Sequence, residues 1–187
     1  MTVRRSASHT TRMPLRIAIL TVSDSRARGG AAPDASGDAI AAWAAARGDQ
    51  VAARTLVADD AVGIAAQLAR WCDADDADVV LTTGGTGLAP RDVTPEATRA
   101  VLTREAPGIA ERIRAAGAAF PRAALSRGLA GTRAATLIVN LPGSPSGVAD
   151  ALATLDPIVR HAVDVLRDRP TDHSPGATAH LGTEGAS

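Results

Sequence analysis

The residues best suited to chemistry lie in three short segments: Thr21-Val22-Ser23-Asp24-Ser25-Arg26, Thr82-Thr83-Gly84-Gly85-Thr86-Gly87 and Asn140-Leu141-Pro142-Gly143-Ser144-Pro145. Each follows an apolar run that reads as a strand, and each can present backbone N–H groups to an anion. Gly84, Gly85 and Gly87 lack Cβ atoms, so their N–H groups can turn toward a phosphate, with the Thr86 hydroxyl as an added donor. Taken alone this loop reads equally as a tight turn. It lacks the third glycine of a dinucleotide fingerprint, Pro90 standing in its place, and no Gly-Lys pair makes it a Walker loop.

Asp92 follows Gly87 by five residues, between Arg91 and Thr94. A carboxylate beside bound phosphate makes chemical sense when it holds Mg²⁺, which takes oxygen ligands and bridges a few carboxylates to substrate phosphates. Asp59, at the end of the second predicted strand, is the natural partner for such a site. Its alternative role is a helix N-cap, which Asp60 can also fill.

Other chemistries are excluded by what is missing. Among 187 residues there are 20 basic side chains, every one an Arg, so neither Schiff-base chemistry nor a phosphate-loop lysine is available. Of the four histidines, His9, His173 and His180 lie toward the chain ends and His161 in a late helix, none with a motif. Without a placed histidine or an activated Ser or Cys, transfer between two bound ligands is favoured over covalent catalysis. A phosphate nucleophile needs no base near neutrality, because its second ionisation lies near pKa ~6. Twenty acidic residues balance the basic ones, and one Phe, two Trp and no Tyr leave no stacking platform, so nucleic acid is not expected as a partner. The single cysteine, Cys72, is expected to be a buried, inert thiol. The apolar run Leu15–Val22 is too short to span a bilayer, and a cytoplasmic location without membrane contact is expected.

The elements that must position these residues form an α/β pattern. Residues 1–14 and 169–187 are expected to be tails around one folded domain over 15–168. Strands are expected at Arg16–Val22, Val51–Val57 and Val79–Thr83, the last central and parallel. One helix is expected from a Ser36 cap to about Arg47, and another after Asp59 with Val62, Ile64, Ala65, Leu68 and Trp71 on its apolar face. Thr94 is expected to cap a helix with Pro95 at its first position, and a further helix spans Gly108 to about Ala118. Leu125–Ala130 and Thr136–Leu141 flank Gly131-Thr132-Arg133 as a hairpin, which adds one antiparallel strand. Two closing helices are expected, Gly147–Leu155 and Pro157–Arg167. The result is a three-layer α/β/α domain with a mostly parallel sheet, whose ligands bind beyond the carboxyl ends of the strands.

The run Leu81 to Gly87, followed by Pro90-Arg91-Asp92-Val93-Thr94-Pro95-Glu96-Ala97, resembles the signature of the MoaB/Mog family. Thr21 to Asp24, Pro33-Asp34-x-Ser36-Gly37, Leu125-Ser126-Arg127 and Asn140 to Pro145 follow in the family's order, and the resemblance covers about 15 to 167. It implies a homotrimeric molybdopterin adenylyltransferase, similar to the G domains of gephyrin and its plant counterpart. In such an enzyme the terminal phosphate of molybdopterin attacks the α-phosphorus of Mg-ATP and pyrophosphate leaves. The adenylylated product then passes to a molybdenum-insertion protein.

By the same resemblance, Asp59 and Asp92 are the catalytic and magnesium-binding acids. Gly84, Gly85, Thr86 and Gly87 bind the pterin phosphate, Ser23 and Asp24 line the pocket, and Asn140, Pro142, Gly143 and Ser144 add contacts. Ala58 stands where relatives often have proline. A catalytically silent pterin-binding or scaffold paralogue of the same fold is the alternative reading.

Overall fold

The computed structural model describes residues 13–29 and 33–169, so most of both expected tails, with His9, His173 and His180, lies outside the described residues. Six strands form one sheet in the order β2-β1-β3-β6-β5-β4. They are β1 (Arg16–Val22), β2 (Gln50–Val57), β3 (Val79–Thr83), β4 (Arg104–Glu105), β5 (Ala130–Arg133) and β6 (Thr136–Leu141). The pairings β1–β2, β1–β3 and β3–β6 are parallel, and β5 runs against both β6 and β4. One strand thus opposes the rest, as expected.

Every residue of β3 and β6 is buried, which is why both read as continuous apolar runs. After the single turn α1 (Asp24–Ala27), helices α2 (Ala35–Ala46), α5 (Pro107–Ala116) and α6 (Pro145–Leu166) cover one face, where Ile40, Ile113, Leu152, Leu155 and Val159 meet Ile17, Ile19, Leu81 and Val139. Helices α3 (Ala61–Asp73) and α4 (Thr94–Val101) cover the other, where Ile64, Leu68, Trp71 and Val101 meet Leu20, Val80 and Ile138. Alternation along each strand thus feeds two cores. Right-handed crossovers put α2 and α3 on opposite faces because the chain leaves β1 toward β2 on one side and returns to β3 on the other. The crevice between the carboxyl ends of β1 and β3 is therefore the topological switch point.

Several local expectations give way to specific contacts. Asp34, not Ser36, caps α2 by accepting from the Gly37 N–H at 3.0 Å. Ser36 is buried, and its hydroxyl donates to the Gly143 carbonyl. Val62 is 77% exposed, so the apolar face of α3 begins at Ile64. Thr94 is the first residue of α4 and not its cap, because its hydroxyl is spent on another loop. Of the strand expected at Leu125–Ala130 only Ala130 is strand: Leu125 ends a 3-10 helix (Pro121–Leu125), and residues 126–129 are irregular. Gly131-Thr132-Arg133 belongs to β5, so the hairpin turns at Ala134-Ala135 with Ala134 at φ 49°. The two closing helices are one 22-residue helix with Pro157 inside it. The carbonyl that Pro157 leaves without its helical donor belongs to exposed Ala153, where water can satisfy it.

Candidate active site

The glycine loop sits at the switch point, and its backbone explains its composition. Gly84 and Gly85 adopt φ 97° and 62°, the left-handed region that side chains rarely enter. A Cβ on Gly84 would collide with the Val22 carbonyl oxygen, and one on Gly85 with the Thr94 hydroxyl. The loop carbonyls are all taken by protein donors. Thr94 Oγ1 donates to Gly84 O at 2.9 Å and Thr94 N to Gly85 O at 3.1 Å. Arg127 N donates to Thr86 O at 2.9 Å and its Nε to Gly87 O at 2.7 Å. With the carbonyls turned into the protein, the N–H groups of Gly85, Thr86 and Gly87 have no acceptor among the described residues. Three free N–H groups in one loop can cradle an anion.

Two carboxylates stand at the ends of this loop. Asp59 follows β2 and is released from capping because Asp60 accepts from the Gly63 N–H at 2.8 Å. Asp59 is fixed instead by reciprocal bonds with the first loop. Asp24 N donates to Asp59 Oδ2 at 2.8 Å, and Asp59 N donates to Asp24 Oδ1 at 3.1 Å. Its Oδ1 lies 3.0 Å from where a Cβ of Gly85 would stand, and Asp92 Oδ2 lies 2.8 Å from the corresponding point on Gly87. Asp92 Oδ2 accepts from Ala89 N at 2.9 Å. Burial, and then the charge of Asp92, raise the pKa of Asp59 above the ordinary aspartate value.

Among the described residues, no cluster of three or more His, Cys, Asp or Glu side chains is placed to hold a metal. Two acids, each with one oxygen held by a backbone N–H and one uncommitted, fit a cation that completes its shell with phosphate and water, as Mg²⁺ does.

A cavity of about 480 Å³ opens beside the loop. Gly85, Thr86, Gly87, Asp92, Pro142, Gly143 and Ser144 line it, whereas Ser23, Asp24 and Asp59 stand off it, on the Val22 side of the loop. A Cβ on Gly143 would come within 3.3 Å of the Gly84 Cα, so the two loops pack closely here. Pro142 O accepts from Thr83 Oγ1 at 2.6 Å, and the Ser144 hydroxyl caps α6. Asn140 is 4% exposed and fully engaged: its amide N–H groups donate to Thr82 and Thr98 hydroxyls, and its carbonyl oxygen accepts from Leu129 N. It braces the loop and offers a ligand nothing.

Sequence reasoning gave no role to Arg127, whose guanidinium joins Gly87 O, Asp92 O and the Glu96 carboxylate. Its place next to Ser126 in the resemblance was the available signal. Arg91, likewise unassigned, pairs with Asp24 Oδ2, which Arg28 also approaches at 3.4 Å. Arg114, Arg122 and Asp150 line the cavity from α5, the 3-10 helix and α6, where only tertiary packing could reveal them.

Fold and site together define a doubly wound α/β domain with a glycine anion cradle and paired carboxylates at its switch point. Residues 18–161 match the family described as "Probable molybdopterin binding domain", and the chain belongs to that family. The chain is 42% identical over 112 residues to a molybdopterin adenylyltransferase of Helicobacter pylori, covering 59% of this chain and 64% of that protein. The structure of the molybdopterin biosynthesis enzyme MoaB from Thermus thermophilus superimposes with a TM-score of 0.78 at 48% identity, over 83% of this chain and 98% of that one. The Mog protein of Mycobacterium ulcerans gives a TM-score of 0.77 at 40% identity, over 84% and 100%. Among the described residues no helix is long and apolar enough to cross a membrane.

Proposed function

We propose that this chain transfers AMP from ATP to the terminal phosphate of molybdopterin, with release of pyrophosphate. The observation that carries the reading is the placement of Asp59 and Asp92 at the two ends of the Gly85–Gly87 loop, beside an open cavity. The enzyme named for this activity in Helicobacter pylori supports it.

In this reading the pterin phosphate rests on the loop N–H groups and is largely dianionic at neutral pH, since its second ionisation lies near ~6. One of its oxygens attacks the α-phosphorus, the new P–O bond forms, and the bond to the bridging oxygen of pyrophosphate breaks. No protein base is required. Asp59 and Asp92 would hold Mg²⁺, whose charge offsets the repulsion between the two phosphate groups and the carboxylates. Asp24 keeps Asp59 in place through its own N–H and carboxylate, and Arg127 fixes the distance between the cradle and the Asp92 segment. Rate enhancement then comes from positioning and fixed charge. The resemblance adds a homotrimer in the cytoplasm and transfer of the product to a molybdenum-insertion protein.

The test is incubation of the protein with molybdopterin and ATP, with and without Mg²⁺. The expected result is adenylylated molybdopterin and pyrophosphate in equal amounts, only with metal. Tight molybdopterin binding without pyrophosphate release would replace this reading with that of a silent pterin binder.

A further inference from the structure

We propose that Asp150 recognises the aminopyrimidinone edge of the pterin, a role that rests on reading the cavity as the molybdopterin site. A pterin ring offers two parallel donors on that edge, its 2-amino group and N3–H, and a carbonyl oxygen beside them. The cavity must supply acceptors for the donors. Most of the wall offers only acceptors already engaged by protein donors. The carbonyls of Gly85, Thr86 and Gly87 already accept from Thr94 and Arg127. Arg114 and Arg122 are donors only. The Ser144 hydroxyl accepts from Gly147 N as the cap of α6, and Asp92 is held by Ala89 N at the phosphate end.

Asp150 remains. It lies on α6 and lines the cavity, and its carboxylate makes no ion pair or hydrogen bond among the described residues. Five residues of helix separate it from Pro145, a rise of about 7.5 Å from the end of α6 that meets the glycine loop. It therefore stands along the cavity wall from the phosphate cradle, within reach of a fused ring that is attached to that phosphate and lies in the cavity. Ile113, Phe120 and Leu125 supply apolar wall for the ring faces, and Arg114 and Arg122 supply donors suited to the ring carbonyl. A carboxylate accepting both N–H groups is the stronger, charge-assisted arrangement, and it selects for the amino group.

The experiment compares binding of pterin-6-methyl phosphate with that of its lumazine counterpart, in which the 2-amino group is replaced by an oxo group. Wild type is expected to favour the pterin by about tenfold or more, the effect of one lost charge-assisted hydrogen bond and one acceptor set against a carboxylate. Asp150→Asn, whose amide can also donate to the oxo group, should bring the ratio to about one and leave inorganic phosphate binding unchanged. No preference in the wild type, or a preference that survives in Asp150→Asn, would overturn the assignment. Adenylylation of molybdopterin is run on the same wild-type preparation. Turnover with an unchanged ratio removes only the role of Asp150, whereas a ratio that collapses in the variant without any turnover in the wild type removes only the transferase.

Discussion

Asp59 differs from the other shifted carboxylates of the described residues. Asp34, Asp75 and Asp78 are partly desolvated too, but hydrogen bonds and charge from Arg54, Arg167 and Arg16 hold them below the usual aspartate range. Asp59 has no such cation. Burial and the neighbouring Asp92 push it up, the combination often found at catalytic carboxylates. The native state then holds this proton more tightly than the unfolded chain does. The stability it contributes is present at low pH and is lost as pH rises from the ordinary value through the raised one. Asp59→Asn cannot ionise, so in metal-free protein its stability relative to wild type should grow between about pH 4 and about pH 7. Denaturant unfolding at both pH values measures this, and a gain that shrinks with pH contradicts it.

The elements show why Asp59 is free for this work. Capping of α3 falls to Asp60, which accepts from Val62 N and Gly63 N. Asp60→Ala should therefore cost about 1 kcal/mol of stability and leave turnover unchanged, as thermal unfolding and the pyrophosphate assay would show. Sequence periodicity found β1, β3 and β6 because burial on both faces makes their apolar runs continuous, and the loops that follow them could be placed with them. What it could not find has equally specific causes. The turn at Ala134-Ala135 carries no turn residue, and β4 has two exposed residues and no pattern. Pro157 reads as a helix boundary, yet α6 continues through it because Val159 and Val163 beyond it remain in the core. Arg127 and Asp150 acquire their places only when distant elements pack.

At the scale of the molecule, buried ion pairs and the candidate site occupy opposite ends of the sheet. Asp49 and Asp78 precede β2 and β3 and are buried among arginines: Arg47 and Arg160 hold the first, and Arg16 and Arg167 the second. These pairs bind the amino ends of the strands to the helices, while the carboxyl ends carry the glycine loop and both acids. Cys72 belongs to the structural part. Burial pushes its thiol up to about 11, so native protein at about pH 8 should resist iodoacetamide and react once unfolded, as mass spectrometry would record.

The central claim is a division of labour, in which the glycine loop binds phosphate and the paired acids drive transfer. The most direct measurement is of Asp92→Asn, whose amide oxygen can still accept from Ala89 N and so preserves the loop. Turnover should fall by about a thousandfold or more, with the Kd for molybdopterin within about threefold of wild type. A variant that loses binding and turnover in equal measure would contradict the account.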